Sequence, residues 1–109
     1  MKMIIAVIQD NDKENLLRKL VDNGFQATKL ASTGGFLREG NCTFLIGVEK
    51  EKVNVVLDII KEICKKREKF LPYPIHSDNY GGFAISYSQP ILIGGAVIFL
   101  MDIDQYIKI

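Results

Sequence analysis

Apolar positions change their period along the chain, and each change marks an element. Residues 2 to 9, KMIIAVIQ, form a nearly unbroken β-branched run, which suits a strand buried on both faces. Leu16, Leu17, Leu20 and Val21 then recur at helical steps and predict an amphipathic helix. Asp10, Asn11 and Asp12 precede it as N-cap candidates, with Glu14 three residues after Asn11 in the spacing of a capping box. Gly24 stands where a helix end takes a residue tolerant of positive φ. FQATKLAS (25–32) and NCTFLIGV (41–48) read as two further strands. Val53, Val56, Leu57, Ile60, Ile63 and Cys64 predict a second helix over about residues 50–67, whose basic end suits the helix dipole. ILIGGAVIFLM (91–101) reads as the last core strand, with Gly94 and Gly95 marking a bulge or a close approach, and DIDQYIKI as a tail or short extra strand.

The order β-α-β-β-α-β has a natural solution in an α+β, ferredoxin-like sandwich of two helices over one antiparallel sheet. Two stretches are left over as loops. The smaller, residues 33–40, lies inside STGGFLREGN, which has three glycines and two apolar residues, Phe36 and Leu37, at its tip. The larger, residues 68–90, holds all three prolines and three of the four tyrosines, with Phe83, Ile85 and Tyr87 hinting at a short strand. A connection of that length in a compact domain is usually functional or disordered, and its aromatic content argues against disorder.

Length and composition narrow the classes. A chain of 109 residues reads as one domain, residues 1–109, with 48% hydrophobic and 25% charged residues. A net charge of +1 gives no electrostatic case for nucleic acid or an anionic membrane. The longest apolar run is too short to span a bilayer, and MKMIIAVIQD meets an acid at Asp10 before any adequate signal-peptide core. A cytoplasmic protein is expected. Cys42 and Cys64 are expected to be buried free thiols, because a disulfide framework needs more cysteines and a secretory context.

No catalytic constellation emerges, and the chain is expected not to be an enzyme. His76 has only Asp78 near it, too few ligands for a metal and no thiol partner in sequence, so no metal or cofactor is expected. Asp102 and Asp104 lack a base or metal to work with. QDND after the first strand has the wrong charge for a phosphate cradle, and Phe44 alone does not make an RNA-stacking sheet.

The small loop does better. Gly34 and Gly35 free the backbone to form an anion nest, and Arg38 can add positive charge. Phe36 can stack on a base, Asn41 carries an amide able to pair with an adenine edge, and Gly47 lets a flat ring approach the backbone. Spacing alone leaves a ligand-free glycine-rich hairpin as an open alternative.

These residues carry a resemblance. QATKLASTGGFLREGNCTFLIGV, the start MKMIIAVIQDND and the late IGGAVIFLMDID resemble the PII-like cyclic di-AMP receptors, over nearly the whole chain and least in residues 68–90. The resemblance implies a ferredoxin-like protomer in a homotrimer, one cyclic di-AMP at each cleft between subunits, and a non-enzymatic signalling role with a downstream protein partner. Thr28, Asn41 and Gly47 are implied to hold an adenine, the backbone of Gly35, Phe36 and Leu37 to meet phosphate, and Ala27 and Phe99 to line the pocket. Two positions depart: Gln26 stands where the family commonly has Arg, and Lys108 where it commonly has Gln. The charge near the phosphates has thus moved between these positions, with Gln26 and Lys108 still counted in the site. The alternative is a PII-like trimer that binds another nucleotide, such as ATP, or binds cyclic di-AMP weakly.

Overall fold

A computed structural model describes residues 1–32, 40–77 and 82–109, with side chains for 1–30, 40–69 and 90–109. Its elements are β1 (Lys2–Gln9), α1 (Lys13–Asp22), β2 (Ala27–Ser32), β3 (Asn41–Val48), α2 (Val53–Cys64), β4 (Arg67–Ser77), β5 (Gly82–Ile93) and β6 (Ala96–Asp102). Four strands form one sheet in the order β2-β3-β1-β6, every neighbour antiparallel. With α1 and α2 on one face, this is the expected ferredoxin-like arrangement.

The pleat decides which residues meet the helices. Ile4, Ala6 and Ile8 of β1 sit opposite Ile46, Phe44 and Cys42 of β3, and all six are buried. They pack with Leu16 and Leu20 of α1 and with Val56, Ile59, Ile60 and Cys64 of α2. Cys42 and Cys64 are free and buried, as expected. The other face carries Met3, Ile5 and Val7 of β1, Thr43 and Leu45 of β3, Leu30 of β2, and Val97, Phe99 and Met101 of β6. Leu30, Phe99 and Met101 are each more than 40% exposed, so the face away from the helices is apolar and open.

Four expectations are corrected. The second helix runs Val53–Cys64 after a 3-10 turn at Lys50–Lys52, because Lys65 turns extended (φ −55°, ψ 144°). The basic residues past its end still serve it, since Arg67 donates to the carbonyls of Ile63 (3.3 Å) and Lys65 (3.0 Å). Second, the N-cap residue of α1 is Asp12, yet its side chain makes no cap hydrogen bond. Its buried carboxylate instead accepts from Arg67 Nη2 at 2.5 Å.

Third, residues 68–77 and 82–90 of the expected large loop are strand, β4 paired with β5, with a register shift between Leu71 and Tyr73. Pro72 lies at that shift, where its missing N–H costs the ladder nothing. Fourth, the predicted strand 91–101 is two strands. Ile91–Ile93 close β5, and Gly94 and Gly95 break the chain at φ +92° and +97° before β6. A Cβ on Gly94 would clash with the Lys65 carbonyl oxygen, so the close approach expected here is to the end of α2. Residues 103–109 are a tail, tied at its root by Ile103 N–H donating to the Met1 carbonyl at 3.2 Å.

Candidate functional site

Cross-strand register locates the sequence-derived positions. Thr28 pairs with Leu45, Leu45 with Ile5, and Ile5 with Phe99. These four residues form one row across the open face, with Thr28 on one edge strand and Phe99 on the other. Three strand spacings separate the two ends, about 14 Å. Asn41 and Gly47 lie on the same face at opposite ends of β3, six residues or about 20 Å apart. Within one chain they do not share one adenine; a shared ring needs Asn41 from one copy and Gly47 from another.

Ala27 faces the other way. It pairs with buried Ile46 and packs against the core beneath the helices. Gln26 is exposed just before β2, and Lys108 is exposed in the tail. Gly35, Phe36 and Leu37 lie outside the described residues, as do the side chain of His76 and the whole of Asp78. Asn41 is buried, at 5% exposure, and stands opposite buried Gln9 in the β1–β3 ladder.

Two clefts adjoin these positions. One, of about 300 Å³, is lined by Gln26 and Gly47 together with Phe25, Glu49, Lys52 and Tyr106. The other, of about 470 Å³, lies between Asp10, Asn11 and Gly40 on one side and Lys69 with Ile91–Ile93 at the hairpin root on the other.

Residues 9–12 tie the two loop roots together, a grouping that local spacing did not flag. Gln9 Oε1 accepts from Gly94 N–H at 2.6 Å, beside the hairpin. Asp10 N–H donates to the Gly40 carbonyl at 3.0 Å, at the root of the small loop. Asp12 holds Arg67, the first residue of β4. These contacts join residues up to 85 positions apart, so helix or strand periodicity carries no trace of them.

Burial, the dominant cause, pushes the Cys64 thiol up to about 12, with nearby Asp12 adding to the shift and Arg67 opposing it. Burial raises the Cys42 thiol as well. Neither is a thiolate near neutrality, so neither is an activated nucleophile. Asp102 is ion-paired with Lys2, whose hydrogen bond holds that carboxyl below its usual range. Among the described residues, no group of three or more His, Cys, Asp or Glu is arranged to hold a metal, and no helix is long and apolar enough to cross a membrane.

Comparison with known proteins decides the family. Residues 1–109 match the family described as cyclic-di-AMP receptor. The chain belongs to the cyclic-di-AMP receptor family. Among solved structures, the chain is similar to a functionally unknown protein from Pediococcus pentosaceus ATCC 25745, at 36% identity and a TM-score of 0.77, with 99% of this chain and 96% of that one covered. A DUF3240 family protein from Shewanella baltica OS155 shares the fold, at 18% identity and a TM-score of 0.55 over 99% of this chain and 96% of that one.

Proposed function

We propose that this receptor is a non-enzymatic, cytoplasmic signalling protein that binds cyclic di-AMP between the subunits of a homotrimer and changes loop conformation to signal to a protein partner. Membership of the cyclic-di-AMP receptor family over residues 1–109 carries the ligand. The row Thr28–Leu45–Ile5–Phe99 supports the shared site, since its ends lie too far apart for one chain to close both on one base. Two copies meeting edge to edge bring Phe99 of one toward Thr28 of the next. The apolar open face supports the trimer, because it needs cover that neither helix supplies.

Signalling has a physical basis in residues 9–12. A ligand at Asn41 lies across the ladder from Gln9, and Gln9 holds the glycine that closes the hairpin. Differential affinity for two arrangements of these roots shifts the loop population. Gln26 in place of the usual Arg supports a second reading, weakened cyclic di-AMP binding or another nucleotide such as ATP.

Calorimetry with cyclic di-AMP, paired with sedimentation, tests the proposal. Three sites per three-chain particle are expected. A single chain that binds with full affinity overturns the shared site, and absence of binding overturns the ligand. Thermal shifts with cyclic di-AMP, cyclic di-GMP and ATP separate the two readings, since a ligand of the native state raises Tm.

A further inference from the structure

We propose that the groove between the end of α2 and the helix-facing row of β6 is a docking surface for a protein partner, and that it takes an extended segment with a large apolar side chain between acidic residues. The groove stands on its own geometry; its link to the nucleotide rests on the cyclic di-AMP reading above.

β6 is the last strand of the four-stranded sheet, and the helices do not fully cover it. Ala96, Ile98 and Leu100 share the face of Ile8, Ala6 and Ile4, their partners in β1. The β1 residues are completely buried, whereas Ala96 and Ile98 are half-buried and Leu100 is 48% exposed. Beside Ala96 and Ile98 lies a groove of about 400 Å³, walled on the α2 side by Ile60 and Cys64 with Lys61, Lys65 and Lys66. An apolar strip open at a sheet edge fits side chains of an extended segment better than an enclosed small molecule.

Charge names the partner. Lys61, Lys65 and Lys66 are the charged residues of the lining, all exposed, with no acid among them. The described ion pairs, Lys2–Asp102 and Arg67–Asp12, use none of them. Nor does the helix end need them. Arg67 donates to the carbonyls of Ile63 and Lys65, and Gly95 N–H donates to that of Cys64. Lysines beside an apolar floor complement carboxylates that flank an apolar anchor. A bare polyanion such as nucleic acid would leave the apolar strip unused.

The groove also reaches the hairpin root. Gly95 lines it, and its neighbour Gly94 donates to Gln9, which stands opposite Asn41. One turn thus touches both the groove wall and the ladder beside Asn41, so occupancy of either biases the other.

A random peptide library displayed on phage is panned on the full chain, and the most enriched peptide is measured by calorimetry. It is expected to carry acidic and large apolar residues and to lose affinity as salt rises. A triple variant, Lys61→Gln, Lys65→Gln and Lys66→Gln, is expected to bind it about tenfold or more weakly. Lys61→Glu, Lys65→Glu and Lys66→Glu together are expected to prefer the same peptide with its acids changed to Lys, a gain that a misfolded chain does not show. No enrichment, an enriched peptide without acids, or equal affinity for the Gln variant overturns the docking surface. Altered sedimentation of the Gln variant overturns it too, by showing a second copy seated in the groove. Saturating cyclic di-AMP is expected to shift the peptide's affinity about fivefold or more. Unchanged affinity with the nucleotide bound overturns the link alone; no nucleotide binding overturns the link together with the ligand reading, and the peptide results still decide the groove.

Discussion

Cys64 links burial to a measurable pH effect. Its thiol is held at about 12 in the folded chain against an ordinary 9.0. As pH rises past about 9 the unfolded chain loses this proton first, while the folded chain keeps it. The contribution to stability is therefore full below pH 9 and lost between 9 and about 12. Wild type is expected to lose Tm across that window more steeply than Cys64→Val, whose core has no thiol to titrate; parallel curves in thermal melts count against the buried-thiol account. Asn41 carries a second prediction. A buried amide that pairs with adenine contributes about 1–3 kcal/mol, so Asn41→Ala weakens binding by that amount in calorimetry. The identities of both residues were informative in sequence: a small apolar Cys on a helical stripe, and an amide at the start of a strand. What local sequence could not supply was the partner of Asn41, which stands opposite buried Gln9 across the β1–β3 ladder.

Elements whose pattern has one physical cause were legible, and those that rest on distant partners were not. β1 was read from a nearly continuous apolar run because it lies inside the sheet, between β3 and β6. The β4–β5 hairpin was missed because prolines, tyrosines and a glycine pair resemble a loop, and its pairing spans Arg67 to Ile93. Asp12 is the N-cap residue, as one of the three candidates, but local spacing alone cannot show that its carboxylate goes to Arg67, 55 residues away. That ion pair gives a test of how the hairpin root is held. Arg67→Met leaves the Asp12 carboxylate buried without its cation, at 1% exposure. A cost of about 3 kcal/mol is expected in urea denaturation, and a loss within error of zero would show that Asp12 is held by something else. The hairpin root also distinguishes two glycines. Gly24, at φ +81°, has nothing within 4 Å of an added Cβ, so Gly24→Ala bears only the left-handed backbone cost of about 1–2 kcal/mol. Gly94→Ala meets the same cost plus a clash with the Lys65 carbonyl, and is expected to be the more destabilising of the two.

In the proposed homotrimer the open face acquires a purpose. One face of the sheet is covered by α1 and α2, and the other presents Ile5 and Leu45 flanked by Leu30, Phe99 and Met101. Ile5 stands inside the row, with Leu45 on one side and Phe99 on the other, and points away from the helices. A charge there leaves the helix-side core of Ile4, Ala6 and Ile8 untouched, since their side chains lie on the opposite face. In a single chain Ile5→Lys therefore changes a half-buried surface position and costs little stability. In the proposed homotrimer it buries an unpaired ammonium at the contact between copies, which is strongly unfavourable. The variant is expected to keep its far-ultraviolet circular dichroism and to sediment as single chains. Cyclic di-AMP affinity falls with assembly, because Thr28 and Phe99 no longer come together from neighbouring copies. Retention of the three-chain particle in Ile5→Lys would move the contact off this face, and retained affinity in a dissociated variant would place the whole nucleotide site within one chain.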